Sequence, residues 1–261
     1  MIVSLIVPSR KRPESLKRCV ESIYGKAKSP HLVEVLVLLD SDDAASNHMI
    51  STLCSIHSNC SIVTRQRGAP LIHYYNNWGA LRTMGKFAMV MNDDCEMITE
   101  NWEAILEKKA EKVLAKDRLA YILINDTHHC NPNNECNRDV SDEVGTTFPI
   151  VTRELVRLFN GIFPNEITTF GADSTLYFIF KKWDVSRIIN LKKDIRLVHH
   201  YQETSNDETN VELKGFRGGR SALTSTRQRH YINLLEQEKR VHSQDRASDI
   251  KRGFFKRLLK I

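Results

Sequence analysis

Phe87-Ala88-Met89-Val90-Met91-Asn92-Asp93-Asp94 is the stretch whose reading decides the fold. Five apolar residues without polar alternation read as a strand buried on both faces, the pattern of a parallel sheet covered by helices. They run straight into two adjacent carboxylates, Asp93 and Asp94. In open α/β sheets the ligand sits just beyond the carboxyl ends of the strands. Two neighbouring carboxylates there repel each other unless a positive group lies between them, and a hard divalent cation held by oxygen atoms fits. The competing reading is a solvated strand-to-loop turn, since Asn and Asp favour turns.

Working outward, Ile2 to Val7 is a strand ended by Pro8. Pro13 opens a helix, where its missing N–H is harmless, and Leu16, Cys19, Val20, Ile23 and Tyr24 follow at helical spacing. Val33 to Leu39 is a second strand that runs into Asp40-Ser41-Asp42-Asp43, followed by a helix with Met49, Ile50, Leu53 and Cys54 inward. Ser61 to Thr64 reads as a third strand, residues from about 74 to 83 as helical, and Leu119 to Ile124 as a strand behind the helix of Trp102, Ile105, Leu106, Val113 and Leu114. Strand alternating with helix indicates an α/β protein with a doubly wound, mostly parallel sheet.

The alternation then breaks. Residues 125–147 are polar and too long for an ordinary connection, which suggests a functional loop. His128, His129, Cys130 and Cys136 lie in it, at a spacing that matches no standard zinc ligand set. Order resumes at Phe148 to Val151, with a helix carrying Leu155, Leu158 and Phe159. Phe170-Gly171-Ala172-Asp173 then precedes a helix with Leu176, Ile179, Phe180 and Trp183 on one face, and residues 194–200 read as a strand.

At 261 residues the chain suits one large α/β domain or two small ones. The hydrophobic fraction of 41% and charged fraction of 27% are those of a globular protein. No apolar run approaches the roughly 20 residues of a membrane span. The first residues enter a strand at once, so no cleavable signal peptide is expected. Cysteines 19, 54, 60, 95, 130 and 136 are scattered as reduced thiols rather than spaced as a disulfide framework, and a cytoplasmic protein is the expectation.

The net charge of +6 is unevenly placed. From Lys214 onward there are 13 Lys and Arg against 4 Asp and Glu, so the excess belongs to a basic, helical C-terminal extension, residues 214–261, behind a main domain of residues 1–213. That placement gives no argument for nucleic acid as a partner of the main domain. Residues 250–261 mix Phe254, Phe255, Leu258 and Leu259 with five Lys and Arg, a composition suited to lying on an anionic membrane surface. A terminal helix packed back on the domain, or on a second subunit, is the alternative.

With these pieces in order, the chain resembles the GT-A fold glycosyltransferases, particularly the family-two-like inverting enzymes. Val3 to Leu16 is similar to that family's first strand and nucleotide-binding turn, Asp40 falls at its Asp after the second strand, and Asn92-Asp93-Asp94 at its Asp-x-Asp metal motif. Phe170-Gly171-Ala172-Asp173 resembles the late segment that carries its catalytic base, and His199-His200 lies where many members have a metal-binding His. The resemblance covers about residues 1 to 205. It implies a Rossmann-like three-layer sandwich that moves a sugar from a nucleoside diphosphate sugar to an acceptor hydroxyl, with inversion and with Mn²⁺ or Mg²⁺. It also implies a UDP-sugar donor before a GDP-sugar, and a glycan or lipid-linked acceptor. The departure is Asn92, which brings an oxygen but no charge where the family has its first Asp.

The resemblance makes Asp94 the first metal ligand, with His199 or His200, and Asp173 the general base. Taken alone, Asp173 reads as a helix cap. Pro8, Ser9, Arg10, Arg12, Asp40, Asn92 and Asp93 are the nucleotide-sugar-binding set. The two histidines alternate faces on a strand, so at most one points into the site; the sequence leans slightly to His200. Arg82 could reach phosphate, and Lys214 to Arg220, with three cations and three glycines, could close over a diphosphate. Two rivals share the pattern: a sugar-nucleotide nucleotidyltransferase, which would show a Gly- and Lys-rich turn after the first strand, and a degenerate scaffold that binds glycan or membrane.

Overall fold

The computed structural model describes residues 1–67, 72–115, 118–126, 145–167, 171–200 and 225–258, with backbone alone at 72–74, 225 and 244–258. Strands β1 (Val3–Ser9), β2 (Val33–Asp40), β3 (Cys60–Arg65) and β4 (Phe87–Val90) alternate with helices α1 (Pro13–Gly25), α2 (Ala44–Ile56) and the short α3 (Trp78–Ala80). They are followed by β5 (Cys95–Met97), α4 (Trp102–Leu114), β6 (Tyr121–Leu123), β7 (Ile150–Thr152), α5 (Arg153–Phe159) and α6 (Ala172–Trp183). The last elements are β8 (Ile188–Asn190), β9 (Leu197–His199) and the 34-residue helix α7 (Ser225–Leu258).

The main sheet has seven strands in the order β3-β2-β1-β4-β7-β6-β8. β1, β2, β3 and β4 are parallel, and β7 alone runs against its neighbours β4 and β6. The sheet is therefore an α/β, mostly parallel one, with its centre buried as the unbroken apolar runs demand. β1 is entirely buried except at Pro8. Pairing of β1 with β4 stops at Ile6↔Val90, so Pro8 costs that ladder no bond. One face packs on α1, α2 and α4 through Leu16, Ile23, Ile50 and Trp102; the other packs on α5 and α6 through Val156, Phe159 and Phe180. Gly79 sits where a Cβ would meet Ile6 and Leu38 at 2.7 and 2.9 Å, so only glycine brings α3 this close to the sheet.

Several expected elements differ. The helix expected at 74–83 is a π-helical stretch, Ile72–Asn77, followed by a single turn, and the strand expected over 194–200 shortens to β9. β9 joins not the main sheet but β5, in a separate antiparallel ribbon with Cys95↔His199, Glu96↔Val198 and Met97↔Leu197 opposed. β5 and β8 carry three residues each, too few to show a period.

The basic extension is not a loose appendage. Tyr231 and Leu235 of α7 are buried in the same apolar cluster as Phe159 and Phe180. The Tyr231 hydroxyl donates to Glu166 at 2.5 Å, the Trp183 indole donates to Glu236 at 2.6 Å, and Lys239 bonds Asp184 at 3.3 Å. Residues 127–144, with two His and two Cys, and the Lys214 to Arg220 segment lie outside the described residues. Among those described, no helix is long and apolar enough to cross a membrane.

Candidate functional site

Because β1, β2, β4 and β6 run parallel, the residues that leave their carboxyl ends emerge on one side of the sheet. Ser9, Asp40, Asp93, Asp94 and Asp126 are brought together there, all buried. Four buried carboxylates need compensation, and the turn after β1 supplies it. Ser9 donates to Asp93 Oδ2 at 2.6 Å and Arg12 to Asp93 Oδ1 at 3.0 Å. Arg10 bridges Asp40 and Asp42, the latter at 3.2 Å. The backbone N–H of Lys11 donates to Asp43 at 2.6 Å, and Asp43 in turn caps α2 by accepting from the Ser46 N–H at 3.1 Å. The turn expected to hold nucleotide is thus clamped onto the acidic strand ends of β2 and β4.

Burial still dominates at Asp93 and pushes its carboxyl up to about 6, against the downward pull of Arg12 and Ser9. Asp40 accepts from the hydroxyl of Tyr75 as well as from Arg10. Tyr75 was not legible as a site residue, since it lies in the irregular stretch before α3. Asn92 offers its backbone carbonyl to the Cys19 thiol at 3.6 Å and to the Cys95 N–H at 3.2 Å, closing the turn that aims Asp93 and Asp94.

Asp94 meets His199, not the side chain of His200. His199 Nε2 lies 3.1 Å from Asp94 Oδ1, with both side chains 3% exposed. His200 reaches Asp94 only through its backbone N–H, at 2.8 Å to the Asp94 carbonyl, and its imidazole pairs with Glu96 at 3.1 Å. This differs from the sequence's lean toward His200, and the turn that leads into β5 explains it. Residues directly opposed across antiparallel strands point to one face, which puts His199 beside Cys95; Asp94 belongs to the turn before β5, outside the strand alternation, and turns its carboxylate to that face.

One potential ligand atom each from Asp94, Cys95 and His199 lies within 4.8 Å of the other two. The donor set fits a divalent transition ion: an oxygen, an imidazole nitrogen and a sulfur, buried together. Imidazole and sulfur suit such an ion better than they suit Mg²⁺. Sequence reasoning passed over Cys95; its position beside the acidic pair was the available signal.

Asp173 occupies the first turn of α6 rather than its cap. Gly171 takes the cap position with φ +89°, a left-handed conformation that glycine adopts without strain. Burial raises the Asp173 carboxyl above its ordinary range, nearby backbone N–H groups of Ser174 and Asp173 pull it back, and the charge of Asp126 pushes it up again. Asp126 accepts from Thr146 Oγ1 at 2.9 Å and so fixes the chain where it returns beyond residue 144. Phe170 lies outside the described residues. Pro8 is half-buried, and the Arg82 guanidinium lies 3.6 Å from the Trp78 ring.

A family model described as glycosyl transferase family 2 matches residues 4–128. The O-antigen biosynthesis protein RfbC of Myxococcus xanthus is 26% identical over 110 residues, 42% of this chain and 8% of that protein, so the chain spans only a small part of that relative. Among solved structures, residues 1–349 of S. aureus TarS in complex with UDP-GlcNAc superpose with a TM-score of 0.56 at 15% identity, covering 90% of this chain and 72% of that one. Mannosyltransferase PcManGT from Pyrobaculum calidifontis, in complex with GDP-Man and Mn²⁺, superposes with a TM-score of 0.55 at 14% identity, covering 98% and 80%. At such identities the likeness is one of fold. Residues 4–128 are similar to glycosyl transferase family 2, and the sheet has the GT-A fold of the superposed glycosyltransferase structures.

Proposed function

We propose that the protein transfers a glycosyl group, with inversion, from a nucleoside diphosphate sugar to an acceptor hydroxyl. The observation that carries this reading is the buried Asp94–His199 pair at the carboxyl edge of β4, beside the Asp40 and Asp93 clamp. Asp40 and the turn after β1 take the nucleoside, and Asp94 with His199 hold a divalent ion, Mn²⁺ before Mg²⁺. Such an ion neutralises charge on a diphosphate leaving group. Asp173 accepts the proton of the attacking hydroxyl, and burial, which raises its carboxyl, makes it a stronger proton acceptor than an exposed carboxylate.

UDP-GlcNAc in TarS and GDP-Man in PcManGT support a nucleotide-sugar donor of one of these kinds. The acceptor is a glycan or a lipid-linked glycan. The mixed cationic and apolar residues at 250–261 support seating on an anionic membrane surface at its cytoplasmic face.

Thermal stabilisation by UDP-, GDP-, dTDP- and CMP-sugars, with Mn²⁺ and with chelator, tests the reading. Donor at about 100 times its Kd stabilises by about 2.7 kcal/mol. A shift with one nucleotide class that chelator and Asp94→Ala both remove supports the metal-assisted transfer; no shift with any donor defeats it.

A further inference from the structure

Far from the carboxylates, at the opposite end of the sheet, Cys54 and Cys60 face each other with their sulfurs 2.8 Å apart. Neither is bonded to the other. Cys54 lies in the last turn of α2 and is half-buried; Cys60 is the first residue of β3 and is buried. The turn between them is held: the Cys60 N–H donates to the His57 carbonyl at 2.8 Å, and the His57 ring stacks on Tyr24 at 3.9 Å with an 8° interplanar angle. A disulfide bond is roughly 2.0 Å long, so closure asks for less than about 1 Å of approach between two sulfurs already in contact.

We infer that Cys54 and Cys60 are a reversible oxidation site, closed to a disulfide by a low-molecular-weight disulfide such as oxidised glutathione. The Cys54 thiolate attacks one sulfur of the reagent and releases a thiol. The Cys60 sulfur, giving up its proton, attacks the mixed disulfide at Cys54 and releases a second thiol. Two protein thiols become one disulfide while one reagent disulfide becomes two thiols.

The environment favours this order. A hydrogen bond from the Cys60 thiol stabilises the Cys54 thiolate and lowers its pKa, whereas the same bond and burial raise Cys60. Cys54 is the sulfur a reagent reaches, and Cys60 resolves. Cys19 and Cys95 are wholly buried and their thiols are pushed well up by burial, so neither competes. The closed bond would fasten the end of α2 to the start of β3.

The test uses the native full chain in glutathione buffers of rising oxidised fraction. Samples are quenched by alkylation in denaturant, digested with trypsin and weighed. Residues 29–65 form one tryptic peptide that holds both cysteines and no other. The expected product is that peptide without alkyl groups and two hydrogens lighter than its reduced form, restored by dithiothreitol. The wild-type melting temperature should rise on oxidation, and Cys54→Ser and Cys60→Ser should each abolish the rise. A doubly alkylated peptide at every ratio would overturn the inference, as would a stable glutathione adduct on Cys54 in the wild type.

Discussion

Cys95 and His199 stand directly opposite each other in the β5–β9 ribbon, and the His199 imidazole lies 3.1 Å from the carboxylate of Asp94, in the turn just before β5. The site therefore depends on a contact between the middle of the chain and its last strand. It is built only when β9 docks.

Asp94→Ala and His199→Ala should each lower Mn²⁺-dependent transfer by about 100-fold or more, the several kcal/mol that a bound cation contributes. His200→Ala should leave transfer within about fivefold, because its pair with Glu96 is partly exposed and worth under ~1 kcal/mol. Initial rates of the three variants across a Mn²⁺ titration decide the matter. Equal losses at both histidines would refute the assignment.

Asp173→Asn should retain donor binding and lose about 10²- to 10⁴-fold in turnover, the range for a general base. The wild-type rate should fall on acidification at a pH above the ordinary carboxylate value of 3.8, since burial raises Asp173 and only its ionised form accepts a proton. Asp173→Asn removes that acid limb. A pH profile of kcat for both proteins checks the sign.

Asp184 provides the opposite pH response. Despite the cost of partial burial, its bonds to Ser186 and Lys239 hold its carboxyl down to about 2, below the unfolded value of 3.8. A depressed folded pKa gives stability that is present above about pH 4 and lost as pH falls through 2. With 23% of the side chain exposed, solvent screening limits the effect to about 1 kcal/mol. Asp184→Asn should therefore melt earlier than wild type at pH 5 and at a similar temperature near pH 2, relative to any general acid loss.

Arg153→Met should destabilise the fold by about 3 kcal/mol. The buried guanidinium donates to the carbonyls of Gly85 and Ala80, at 2.9 and 2.6 Å, and to Thr83 Oγ1 at 3.0 Å. Removing it takes the charged donor from the buried Gly85 carbonyl before β4, at a cost of up to about 3 kcal/mol, while the Ala80 carbonyl keeps the Thr83 hydroxyl at 2.9 Å. Urea unfolding gives the number.

Leu235→Ala should cost about 2–5 kcal/mol, as for any fully buried leucine. The melt should remain a single transition if α7 and the sheet fold as one unit. An unchanged main transition, with separate early loss of helix, would support the expected boundary at residue 214.

The main sheet was legible where strands are long and buried. β1, β2 and β4 read directly from Ile2 to Val7, Val33 to Leu39 and Phe87 to Met91, and the acidic strand ends from Asp40, Asp93 and Asp94. A strand inside a parallel sheet must be apolar on both faces, and its end must turn polar where backbone pairing stops. These are local demands, written in consecutive residues.

Tertiary structure alone decided the insertion of β7 against the sheet direction, the removal of β9 to a separate ribbon, and the burial of Tyr231 and Leu235 in the main core. It also set His199 rather than the His200 side chain against Asp94, and brought Cys95 and Tyr75 beside the candidate carboxylates. A three-residue strand carries no readable period. Which of two adjacent histidines meets the Asp94 carboxylate depends on the β5–β9 register together with the turn that aims Asp94. That register is set by pairing between segments far apart in the chain, so the strands that made the fold legible could not by themselves reveal which side chains meet at their ends.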